Sequence, residues 1–323
     1  MRLLDLVAQS TSAAAMLPGG WGFPGAHQFA DAVRTCPLRL VLADDLIQYT
    51  IQLAYAEGER LSGCLDLIHV PAQQLWLEWL EAARQSTLSE MPACTSTPCY
   101  SVRRTGVHIA ADPAGRAGTM RTFWSTLNEQ VYSAALLTDF DLDRVTRPAL
   151  EIDSVFSGAA FGVVIPVEPA LDELLSHVCF RLDPAWVNYY RAADLTEDQQ
   201  SLVLRAVLGT VAFDMPMILA LFLLFAAKDG LQRQAAELER LNRARRCSGK
   251  RALLEHIEVR APISAHYQRP ASLAVNRRRG PRLHHVRGHI VRRGEKVFWR
   301  LPHLRGSARL GVVRSRTVQL SFH

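Results

Sequence analysis

The segment "LVLRAVLGTVAFDMPMILALFLLFAA", residues 202–227, constrains the fold more than any other. Its uninterrupted apolar part, Met215 to Ala227, is 13 residues long. That is about 20 Å of helix, whereas a bilayer core needs about 20 residues. Extending the run upstream brings in Asp214 and Arg205, both costly at membrane depth. Pro216 suits a helix start better than a helix middle. The segment therefore reads as a helix buried in a protein core, with Thr196 placed to cap the helix that enters it. A membrane span is the lesser reading, with Lys228 and Arg233 as its flanking charges. A chain of 323 residues with 49% hydrophobic content has the material for such a core.

The rest of the chain mixes periods. Residues 1–36 are rich in Ala, Gly and Pro and read as irregular, with a short helix near "HQFADAVRTC". The opening "MRLLDLVAQ" breaks its apolar run at Asp5, too early for a secretory signal, and reads as a cytosolic start. "LRLVLADDLIQYTIQLAYAEGERL" turns helical in its second half, and "QQLWLEWLEAARQ" fits either a strand ending in a helix or one helix. Two β-prone runs flank Asp112-Pro113-Ala114-Gly115, a good turn. "ALEIDSVF" and "AAFGVVIPV" are further strand candidates, residues 169–200 look helical and polar, "KDGLQRQAAELERLNRARRCSGK" is polar and helix-forming, and "LLEHIEVRAPI" returns to a strand. The expected fold is α+β: a helical and mixed front, with regions 1–36 and 37–239, followed by a basic, β-rich region 240–323.

Charge sharpens that division. Residues 240–323 hold 21 Lys or Arg against 3 Asp or Glu, a net of +18, while residues 1–239 carry a net of −12. A phosphate-rich partner for the back is one explanation, and mutual neutralisation of the two halves is the other. The six cysteines are scattered. Cys94 and Cys99 form the one close pair, and a zinc site wants a second, so both read as free thiols.

The stretch "RLHHVRGHIVRRGEKVFWRLPHLRG", Arg282 to Gly306, has four histidines, seven Lys or Arg and one acid. As a hairpin turning at Arg293-Gly294, or shifted to Gly294-Glu295, it has the same two faces. Val286, Gly288, Ile290, Val297, Trp299 and Leu301 form an apolar face, and His285, Arg287, His289, Lys296, Phe298 and Arg300 a cationic one. Arg287, Lys296, Arg300, Arg292, Arg293 and Arg305 are the expected nucleic-acid contacts. His285 and His289 lie four residues apart, about 13 Å along a strand, too far to share one ion. His284 and His303 would meet at the hairpin base but lack a third ligand, so no metal and no cofactor is expected. His289, beside Arg287 and Arg300, and His285 are the candidate acid/base groups for metal-independent phosphodiester cleavage. A solvated basic ribbon is the plain alternative.

The segments "RLNRARRCSGKRALLEHIEVR", "PRLHHVRGHIVRRGEKVFWRLPHLRGSARLG" and "RTVQLSF" resemble the C-terminal half of an uncharacterised family of tailed phages and prophages of proteobacteria. "QQLWLEW" and "TGVHIA" match its front more loosely. The resemblance spans about residues 215–322 and implies a phage or prophage origin and a soluble, cytoplasmic protein, with no activity attached. The expectation is a nucleic-acid-binding protein. A metal-independent nuclease or other phosphate-transfer enzyme is the first alternative, and a virion or assembly component the second.

Overall fold

A computed structural model describes the chain except residues 12–13, 17–21, 57, 90–101, 146–149, 152–173, 185, 187–195, 228–229, 262–281, 287–288, 301–302, 306 and 313–323. The front half contains helix α1 (Leu3–Gln9), strands β1 (Ala14–Met16) and β2 (Gly22–Pro24), helix α2 (Ala30–Thr35), β3 (Leu38–Leu42), α3 (Asp44–Ala56) and α4 (Gly58–Ser62). Then come β4 (Gln74–Leu80), α5 (Glu81–Ser89), β5 (Val102–Ala111), β6 (Ala117–Thr126), β7 (Val131–Asp141), β8 (Leu150–Glu151) and β9 (Val178–Leu182). The long helix α6 (Glu197–Ala226) leads into β10 (Gln232–Ala235), α7 (Glu239–Cys247), β11 (Ile257–Arg260) and β12 (Arg282–Val286). The last strands are β13 (His289–Arg293), β14 (Lys296–Arg300), β15 (His303–Arg305) and β16 (Ser307–Val312).

This is a mixed α and β chain built on one nine-stranded sheet, in the order β10-β11-β3-β4-β5-β6-β7-β9-β8. Strands β11, β3 and β4 run parallel. The ladder from β4 through β5, β6 and β7 to β9 is antiparallel. β11 lies past residue 240 yet pairs with β3, so the acidic front and the basic back share this sheet.

Strand alternation sends the two halves of each strand to different cores. On one face Leu75, Leu77, Trp79, Val107 and Ile109 pack under α3 and α6. On the other, Trp76, Val41 and Phe123 meet Leu3, Leu4 and Val7 of α1 and Val33 of α2. Trp76 lies across Gly106, where a Cβ would stand 2.4 Å from its ring; only a residue without a side chain fits there. Glu78, fully buried, accepts the Leu3 and Leu4 N–H groups at 2.8 and 2.9 Å and Arg104 Nη1 at 3.0 Å. A carboxylate at a helix start satisfies donors that have no partner within the helix, which ties α1 to the sheet.

α6 is the buried helix expected at 202–227, and its residues from Met215 to Leu224 are buried. Pro216 does not start it but sits inside it, a correction. Burial of the apolar residues on both sides outweighs the one backbone hydrogen bond that proline removes. Asp214 finds a partner in the core: it forms an ion pair with Arg84 of α5, which also bonds Glu81 at 2.9 Å and the Thr210 carbonyl at 3.1 Å. Thr105 donates to Glu81 at 2.6 Å, completing the cluster. No described helix is long and apolar enough to cross a membrane.

Other expectations fare unevenly. "QQLWLEW" is a strand followed directly by α5, and the Asp112–Gly115 turn joins β5 to β6. The opening is not irregular, because α1 is a helix whose Leu3, Leu4 and Val7 are buried. Within 169–200, expected to be helical, residues 178–182 form β9, held by pairing with β7. Within 228–250, Gln232–Ala235 form a strand before α7 begins. Of "ALEIDSVF" only Leu150–Glu151 is described, as β8, and "AAFGVVIPV", Cys94 and Cys99 lie outside the described residues.

Candidate nucleic-acid interface and an adjoining cleft

The hairpin forms with the loop at Gly294-Glu295, so that Arg293 faces Lys296, Ile290 faces Trp299 and His289 faces Arg300. Gly294 takes a φ of 60°, the conformation that a two-residue hairpin turn assigns to its first central position. The same register continues where β12 pairs β15, with His284 opposite Arg305 and Val286 opposite His303. His284 and His303 therefore do not oppose each other, which corrects the pairing drawn from an Arg293-Gly294 turn.

The face assignment holds for the residues described. Ile290, Val297 and Trp299 are buried in the main core, and Trp299 meets Tyr49 of α3 edge-on with centroids 4.8 Å apart. Arg293, Lys296 and Arg300 are exposed, with half-buried Val291 and Phe298 between them. Arg305 is also exposed. Arg292 is different. Its guanidinium bonds both Asp66 oxygens at 2.9 and 2.6 Å, the Gly63 carbonyl at 3.0 Å and the Gly294 carbonyl at 3.1 Å. The structure spends this side chain on clamping the hairpin tip to residues 63–66, where a phosphate would have to displace Asp66. Arg287 lies outside the described residues, and of the candidate acid/base pair only backbone positions are described: His289 opposite Arg300, His285 opposite Leu304.

A second basic element carries residues that were not singled out by sequence. Helix α7 buries no residue. Arg240, Arg243 and Arg246 are exposed on it, and Lys250 and Arg251 are exposed just beyond. The helix is held by a side chain instead of an apolar face: Asn242 donates to the Leu253 carbonyl at 3.0 Å and accepts the Leu253 N–H at 2.7 Å, as a paired strand would. Arg245 adds a bond from Nε to the Arg251 carbonyl at 2.8 Å. The usable signal was the run "RLNRARR", whose polarity on every side leaves nothing to bury.

Among the described residues, Arg292–Asp66 and the in-helix pair Arg243–Glu239 are the ion pairs that join a cation of 240–323 to an acid before it.

Beside α7 lies an open cleft of about 780 Å³. It is lined by Leu238, Leu241 and Arg245, by Arg103 and Arg104 of β5, by Asp5 of α1 and by His256. Arg104 is tied to Glu78, and Arg2 at the rim pairs with Glu258 at 2.8 Å. Burial pushes the Asp5 carboxyl above the usual carboxylate range, against the opposing pull of the Leu254 N–H. The cleft volume falls in the roughly 300–1,000 Å³ range of small-molecule sites.

Comparison with known protein families, with characterised proteins and with solved structures finds no match to this chain.

Proposed function

We propose that this chain binds nucleic acid, with α7 and the Lys250-Arg251 segment as the main phosphate contacts and the hairpin cations Arg293, Lys296 and Arg300 as a second set. One observation carries the reading: α7 buries nothing, yet it is held in place by dedicated side-chain bonds and turns Arg240, Arg243 and Arg246 to solvent. A helix with no core to fill is retained for its surface, and a surface of guanidinium groups suits phosphate oxygens. The phage-like segments fit a cytoplasmic protein that meets nucleic acid during infection or prophage maintenance.

Titration of a random duplex at several salt concentrations tests this. Each phosphate contact contributes about 0.9 to the slope of log K against log salt. Replacing Arg240, Arg243 and Arg246 with Gln should flatten that slope by about 2–3 units. An unchanged slope would remove α7 from the interface.

Metal-independent cleavage is a second reading, favoured by the register that sets His289 opposite Arg300. An imidazole beside a guanidinium has the parts for proton transfer at a clamped phosphate. Cleavage of labelled RNA or DNA in the presence of EDTA, lost in His289→Gln, would establish it. Intact substrate under those conditions leaves a binding protein.

A further inference from the structure

Helix α7 is inserted between β10 and β11, the antiparallel pair at one end of the nine-stranded sheet. β10, the outermost strand, is exposed along its whole length. The chain leaves β10 at Ala235, forms α7, turns at Gly249 and returns beside the helix, where Leu253 meets Asn242, before entering β11. Gly249 takes a φ of 69°, and a Cβ there would meet nothing within 4 Å. Leu238, Asn242 and Arg245, at i, i+4 and i+7, are half-buried, and Asn242 and Arg245 bond the return segment; this spacing marks one side of a helix. At about 100° per residue, Arg240, Arg243, Ala244 and Cys247 fall on the opposite side, and all four are exposed. Arg246 lies beside them, and Lys250 and Arg251 flank the turn, also exposed. The one acid of the helix, Glu239, pairs with Arg243 at 3.1 Å with both side chains largely exposed, where solvent screens the pair and a phosphate can replace it.

On the nucleic-acid reading of α7, we infer that its ligand is B-form duplex DNA and that the helix lies in the major groove. A helix with its side chains is about 10–12 Å across, and the major groove of B-form DNA, about 12 Å wide, admits one. The 9 residues of α7 make a rod about 13 Å long, and its outward side has no neighbour to hold it away from a groove. That side is shaped for the fit. Ala244 and Cys247 are small and let the helix seat close to the base edges. Arg240 lies to one side of Cys247 on the helix surface, and Arg243 and Arg246 lie to the other, so guanidinium groups stand toward both phosphate walls. Phosphate contacts of this kind fix a helix on the duplex without reading its sequence. Duplex RNA has a deep, narrow major groove closed to side chains, and a single strand has no pair of walls to span.

Fluorescence anisotropy of the full chain with one random sequence, supplied as duplex DNA, duplex RNA and single-stranded DNA at one salt concentration, tests it. Duplex DNA should bind at least about tenfold more tightly than either of the others, the worth of one phosphate contact at about 0.1 M salt. Replacing Arg240, Arg243 and Arg246 with Gln should remove that preference. Ala244→Leu changes no charge and keeps a good helix former, so it separates shape from electrostatics: it should weaken duplex DNA and leave single-strand binding unchanged. A duplex whose cytosines carry glucosylated hydroxymethyl groups, which fill the major groove, should lose the preference, whereas netropsin, which occupies the minor groove, should leave it intact. Equal binding of the DNA and RNA duplexes, tighter binding of the single strand, or loss of binding to netropsin and not to the glucosylated duplex would overturn groove entry and leave α7 as a nucleic-acid contact of another kind. Absence of salt-dependent binding to all three nucleic acids would overturn the nucleic-acid reading itself. Binding of polyglutamate as tight as that of duplex DNA would overturn both and assign α7 to an acidic protein.

Discussion

His108 and Arg121 stand opposite each other on β5 and β6, with Arg121 stacked over the Phe29 ring at 4.1 Å and paired with Asp183. Burial and then the neighbouring guanidinium push the His108 imidazole down to about 4 from an ordinary 6.5. The folded state thus binds fewer protons than the unfolded one. The stability from neutral His108 is present above pH 6.5 and is lost as pH falls toward 4. Between pH 7 and pH 5 the loss is about 2 kcal/mol. Urea unfolding at the two pH values should show that drop in the parent and a smaller one in His108→Gln; an identical drop would place the acid sensitivity elsewhere. A second single-residue case is Trp299. Its burial against Tyr49 predicts that Trp299→Ala costs about 3–5 kcal/mol, read from the urea midpoint. Arg292→Ala, which breaks a half-exposed pair with Asp66, should cost about 1 kcal/mol or less. Equal stability of the Trp299 variant and the parent would show that the hairpin does not belong to the core.

At the scale of elements, the acid in the middle of α6 decides how that helix is used. Asp214 → Ala leaves Arg84 buried with one partner fewer and should cost about 3–5 kcal/mol in urea unfolding; a change under about 1 kcal/mol would mean that the ion pair does not hold α5 to α6. Asp214, visible in the sequence as an obstacle to a membrane span, is in the fold the contact point with α5. The element-level reading succeeded where one periodicity dominated: the β5–β6 hairpin around its Asp-Pro-Ala-Gly turn, the alternating ribbon at 289–300, and the apolar run. It missed β7, whose residues from Val131 to Thr138 are all buried. A strand covered on both faces shows no alternation to read. It likewise missed β9 and β10, short strands whose extended state comes from their neighbours β7 and β11 more than from their own composition.

Across the whole molecule, the two basic elements lie on opposite faces of the sheet. Residues after α7 dock against α1 through Leu254 and Asp5, whereas the hairpin packs on the α3 side through Trp299 and Tyr49. Sites that share no partner act additively. Combining the α7 triple variant with Arg293→Gln, Lys296→Gln and Arg300→Gln should therefore flatten the salt slope by the two separate changes together, about 4–6 units in all. A combined effect no larger than either alone would mean that only one face meets the nucleic acid.

By itself the sequence settled what depends on local pattern: a buried apolar helix, a two-faced ribbon with its hydrophobic side inward, and a surplus of positive charge after residue 240. These follow from chain periodicity and composition, which need no knowledge of what lies alongside. Tertiary structure alone decided the contacts made at long range. It paired Arg292 with Asp66, 226 residues away, a partner that composition could not have assigned to it. It brought Asp5 to the N–H of Leu254, 249 residues away, with His256 on the carbonyl of the same residue, because α1 is pinned to the sheet by Glu78 while β11 joins that sheet beside β3. Neither Asp5 nor His256 belongs to a motif, and the cleft they line exists only where the first residues and β5 meet residues 234–258.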